Sequence, residues 1–190
     1  MHSSWLKPST SATLRRLLAI FVWALAATPL SATPNPNETV DTISVEDTAS
    51  VALNRLKELE GTWRIADRED HPLRISFYQT AGGGTLVESW EVNGRSHSLT
   101  IYHRDGNTLL ATHYCPQGNQ PRMELEKSED GQIRFAFRDV TDLDAQKEQH
   151  QHDLAFDLEA ADRIIRSEHY RDGDGNMHPS KLMLGRAPNE

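Results

Sequence analysis

Five glycine-bearing turns divide residues 62–186 into short segments, and they constrain the fold more tightly than any other feature. They are Gly82-Gly83-Gly84, Asn93-Gly94, Asp105-Gly106-Asn107, Asp130-Gly131 and Asp172-Gly173-Asp174-Gly175. Tight hairpin turns need positive φ, which glycine, asparagine and aspartate adopt most readily. Asn-Gly and Asp-Gly between alternating apolar and polar runs therefore mark β-hairpins. The runs begin near Thr62, Leu73, Thr85, Ser98, Thr108, Arg122, Gln132, Gln149, Arg163 and Pro179. About ten strands joined mostly by hairpins form an antiparallel meander, and closing it into an up-and-down barrel removes its exposed edges. The expected fold class is all-β. The longest polar gap, Asp139 to Gln149, reads as a mobile loop or a rim helix.

The chain ahead of the strands has three parts. In residues 1–32 the only charges are Lys7, Arg15 and Arg16, followed by an apolar run from Leu17 to Ala27 and the small residues Ser31 and Ala32. This order is that of a secretory signal peptide. The run is about 11 residues, short of the ~20 that a spanning helix needs. Residues 33–49, rich in proline and asparagine, read as a disordered linker. The barrel domain is expected over 50–188, opening with a short helix. Val51, Leu53, Leu56 and Leu59 recur at roughly helical spacing, and Gly61 stops the pattern.

Charge and cysteine content narrow the function classes. The whole chain carries −8. Three of its 20 Lys+Arg fall in the leader and none of its 28 Asp+Glu, so the remainder carries −11. That argues against a nucleic-acid partner and against a stable membrane anchor after leader cleavage, and fits a periplasmic or secreted protein. Cys115 is the single cysteine, which excludes an intrachain disulfide framework; we read it as a small core residue.

Alternation along each strand sorts side chains onto two faces. From Leu86, one face reads Leu86, Glu88, Trp90, Val92 and is the more apolar, so Glu88 is expected inside. From His150, the apolar face reads His150, His152, Leu154, Phe156, Leu158, which turns both histidines inward. His113 shares a face with Leu109, Ala111 and Cys115, and either face of that strand fits inside. Arg122 would clamp a ligand carboxylate if inward, but Glu124 and Glu126 on its face favour outward. Arg166 and Tyr170 share a face with Ile164 and Glu168 as a second candidate anion clamp, on a strand that polarity does not orient.

Gly61-Thr62-Trp63 after a short helix resembles the Gly-x-Trp opening of lipocalin-like (calycin) barrels. The stretch Leu110-Ala111-Thr112-His113-Tyr114-Cys115, continuing through Gly118-Asn119-Gln120-Pro121-Arg122-Met123, resembles a family of uncharacterised bacterial exported proteins with such a barrel. His150-x-His152 and Tyr170-x-Asp172-Gly173 fit the same pattern, and the resemblance spans about residues 52 to 186. It implies a lipocalin-like barrel and no assigned chemistry.

Three functions follow. The first is binding of a small, partly apolar ligand in the lumen, with Glu88, Trp90, His113, Arg122, His150, His152 and Tyr170 as candidate ligand contacts. The second is a metal-dependent hydrolase or isomerase. His150 and His152 at i and i+2, with His113, would hold zinc, because three imidazoles with water or a carboxylate suit that ion. A haem held by His113 or His152 is a further cofactor candidate. The third is a filled barrel with a structural or interaction role, its histidines satisfying one another by hydrogen bonds. Asp172-x-Asp174-x-Asn176 lacks the glycine and glutamate of a calcium loop and reads as a hairpin tip.

Overall fold

A computed structural model describes residues 47–188. The leader and nearly all of the linker lie outside the described residues. Ten strands follow one short helix, α1 (Thr48–Lys57): β1 (Gly61–Ile65), β2 (Leu73–Thr80), β3 (Thr85–Val92), β4 (Arg95–Asp105), β5 (Thr108–Tyr114), β6 (Gln120–Glu129), β7 (Gln132–Thr141), β8 (His150–Ala160), β9 (Arg163–Arg171) and β10 (Met177–Arg186). Each strand pairs antiparallel with its neighbours in sequence, and β10 returns to β1, so the barrel is closed. The turns act as their chemistry predicts: Asn93 and Gly94 both sit at positive φ between β3 and β4, as do Asp130 and Gly131 between β6 and β7.

α1 begins one residue after Asp47, whose carboxylate accepts the Ser50 amide at 2.8 Å and caps the first turn. Its buried stripe is Ala49, Ala52, Leu53 and Leu56. The expected stripe differs at one point: Val51 is exposed, because the helix starts earlier and turns a different face inward. These four residues and Leu59 join one hydrophobic core with Trp63, Phe77, Leu109, Ile133, Ile164 and Leu184, so the helix plugs the end of the barrel where β1 starts. Trp63 is fully buried and donates from Nε1 to the Leu59 carbonyl at 2.7 Å, fixing the helix against the first strand. Arg186 covers the same indole at 4.6 Å and donates to the Glu58 and Glu60 carbonyls.

The opposite end is a mouth formed by the loops after β1, β3, β5, β7 and β9. Residues 142–149 carry a turn and no helix, so the rim-helix reading of that gap does not hold. The hairpin tip at 172–176 is held by Asp172, which accepts from the Asp174 and Asn176 amides, the Asn176 side chain and His178. Those bonds hold its carboxyl below the usual carboxylate range. Among the described residues no helix is long and apolar enough to cross a membrane.

Candidate functional site

The barrel interior has two unlike halves. Next to α1 it is hydrocarbon and aromatic: Phe77 and Phe156 meet edge to face at 6.2 Å, and Tyr102 packs on Phe135 at 5.6 Å and on Phe156 at 6.2 Å. Above these rings, toward the mouth, lies a charged cluster contributed by five strands. Register sets its members side by side: Glu88 opposite Thr100, Thr100 opposite His113, Leu154 opposite Glu168, Phe156 opposite Arg166.

Arg166 is at the centre and 2% exposed. Its Nε donates to Glu88 Oε1 at 2.7 Å and its Nη1 to Glu168 Oε2 at 2.8 Å. Its guanidinium lies over Trp90 at 4.7 Å and near Phe156 at 5.9 Å, a placement favourable to cation–π attraction. Burial pushes the guanidinium toward losing its proton, but Glu168 and Glu88 outweigh burial and hold it charged. Glu88 also accepts from Trp90 Nε1 at 2.6 Å and from the Tyr102 hydroxyl. Glu168 accepts from Gln151 Nε2 at 2.7 Å. A carboxylate away from water is costly unless paired and hydrogen-bonded, and both are.

His113 stands beside this cluster and is also buried, with Nδ1 3.0 Å from Thr100 Oγ1 and Nε2 3.4 Å from the Tyr170 hydroxyl. Desolvation, reinforced by Arg166 and His97, lowers it to about 3, so the imidazole is neutral at ordinary pH. Burial pushes the Tyr102 and Tyr170 hydroxyls up, keeping them protonated. An imidazole so reluctant to take a proton is a weak general base near neutral pH. The buried Cys115 thiol is pushed up by desolvation, away from the reactive thiolate.

Glu88, Trp90, His113 and Tyr170 thus come together; alternation had put the first two inside and left the faces of His113 and Tyr170 open. The other candidate contacts do not join them. Arg122 lies on the outer wall, bidentate to Asp139 at 2.6 and 2.5 Å, and the acidic residues on its face had pointed that way. His150 and His152 do not join His113. β8 carries a bulge: Gln151 pairs with Tyr170 and Asp153 with His169, leaving His152 as the extra residue. The inserted residue shifts the alternation, so Gln151 takes an inward position against Glu168. His150 and His152 instead contact each other, Nε2 to Nδ1 at 3.2 Å, and pack on Phe137. His150 borders a cleft of about 170 Å³ with Ala145, Arg171 and Gly173. Among the described residues no three His, Cys, Asp or Glu side chains are grouped to hold a metal ion, so the zinc set of His113, His150 and His152 is not assembled.

Sequence reasoning missed Gln151 and left Arg166 and Glu168 unoriented. The signal for the latter two lay in pairing: the Ile164, Arg166, Glu168 face falls opposite Leu154 and Phe156. No signal in the β8 residues marks the bulge.

No protein-family model matches the chain. No curated protein matches it either. The fold and the cluster therefore carry the functional argument.

Proposed function

We propose that this chain is an exported, lipocalin-like barrel that binds a small, partly apolar molecule at the mouth end of its lumen. The observation that supports this is the contrast between the two halves of the interior. A barrel closed only for structure is served by hydrocarbon throughout, since a buried ion network is often no more stabilising than well-packed apolar residues. Here hydrocarbon fills the half beside α1, and Arg166, Glu88 and Glu168 occupy the half beneath the mouth. Ile65, Trp90, Val92 and Leu182 are only partly buried and pack against the core. Apolar walls over a few convergent polar groups suit a ligand with an apolar body and one polar end.

Export rests on the positive start, short apolar run and small-residue end of residues 1–32. Mass spectrometry of the periplasmic or secreted fraction is expected to find an N-terminus close to Thr33; intact Met1 in the cytosol overturns it. Ligand binding is tested with the neutral probe N-phenyl-1-naphthylamine, whose fluorescence rises on entering an apolar site. Saturable uptake by the wild type, weakened in Trp90→Ala, is the expected result. No saturable uptake identifies a filled barrel.

A further inference from the structure

We infer that the polar end of the ligand is a cation of the primary-ammonium class, held between the side-chain oxygen of Gln151 and the carboxylate of Glu168. The inference rests on the lumen being a binding site and specifies what it takes.

The orientation of the Gln151 amide is fixed by chemistry. Its partner Glu168, as an ionised carboxylate, only accepts, so the NH2 faces it at 2.7 Å. That leaves Gln151 Oε1 fully buried with no hydrogen-bond partner. Buried acceptors are nearly always satisfied, and this one lies within the charged cluster, so what it lacks is a donor. Charge points the same way. One guanidinium stands against two carboxylates, and the neighbouring imidazole and phenols are neutral. Arg166 is already committed to the two carboxylates through Nε and Nη1, with Trp90 and Phe156 against the group. An incoming carboxylate would meet two of its own charge.

An ammonium carries three donors and no acceptor. It satisfies Gln151 Oε1, neutralises the excess charge at Glu168, and has a third N–H for Tyr170 or His113. Tyr170 is the register partner of Gln151, half-buried, and its hydroxyl makes only the long 3.4 Å contact to His113.

The test is calorimetric titration of the full chain with n-hexylammonium, n-hexanol and hexanoate, at an ionic strength that screens attraction to surface carboxylates. Hexylammonium is expected to bind about tenfold or more tighter than hexanol, with hexanoate weakest. Gln151→Leu is expected to weaken hexylammonium roughly tenfold and leave hexanol unchanged, and Glu168→Gln to weaken it further. Hexanoate binding as well as hexylammonium, or full hexylammonium affinity in Gln151→Leu, overturns the assignment. The wild-type order decides even if a variant fails to fold. If the naphthylamine probe enters but no hexyl compound prefers the ammonium form, the cation assignment falls and lumen binding stands. If nothing enters, both fall.

Discussion

Two carboxylates depend on the Arg166 guanidinium, and removing it strands both in a space from which water is excluded. Arg166→Met is therefore expected to cost about 3–5 kcal/mol in chemical denaturation, the usual penalty for breaking a buried ion network on one side. A loss below about 1 kcal/mol would show that the carboxylates are hydrated or uncharged after all. His113 gives the residue scale a pH signature. In the unfolded chain its imidazole takes up a proton as pH falls through about 6.5, whereas in the folded barrel it resists down to about 3. Unfolding therefore binds a proton across that window. The contribution of His113 is complete above pH 6.5 and is lost as pH falls toward 3, at about 1.4 kcal/mol per pH unit. His150 and His152 are also lowered by desolvation and add to the same slope. His113→Asn is expected to flatten the fall in stability between pH 6 and 4 relative to wild type. Identical slopes would mean that His113 is not the buried neutral group described.

At the scale of elements, β8 and the mouth loops show where local pattern stops being enough. Period-two alternation places His150 and His152 with Leu154 and Phe156, and it holds for Leu154 and Phe156. One inserted residue then shifts the ladder, and Gln151 comes inward to Glu168. Such an insertion depends on how β8 meets β9, not on the residues of β8. The loops after β7 and β9 are coupled by contact: a Cβ on Gly173 would lie 2.2 Å from the Ala145 carbonyl oxygen. Gly173→Ala is expected to force the two loops apart, costing about 1–3 kcal/mol by overpacking. Hydrogen exchange should quicken in residues 142–149 and around 172–176 while the strands near α1 stay protected. Unchanged exchange there would show that the loops absorb the methyl group without moving.

For the whole molecule the question is why a barrel that is hydrocarbon at one end keeps charge at the other. Replacing the network together, with Glu88→Leu, Tyr102→Phe, Gln151→Leu, Arg166→Met and Glu168→Leu, separates stability from function. The combined variant is expected to fold with stability within about 2 kcal/mol of wild type or above it. It is also expected to lose all preference for hexylammonium. Failure of this variant to fold would instead assign the network to specifying the barrel.

The sequence by itself determined the all-β class, the ten strands and their hairpin order, because turn residues and alternation are local consequences of backbone sterics and strand geometry. It also placed Glu88 and Trp90 inside, since one face of β3 is plainly the more apolar. The tertiary structure alone decided the rest. β5 and β9 carry nearly equal polarity on both faces, so only pairing with β4 and β8 turned His113, Arg166 and Glu168 inward. A bulge in the ladder between β8 and β9 brought Gln151 inward to Glu168. Which face of a strand is buried is written in the strand only when its two faces differ in hydrophobicity. Where they do not, the closed ladder chooses the face, because shifting one strand by a residue would cost the hydrogen bonds and packing of both its neighbours.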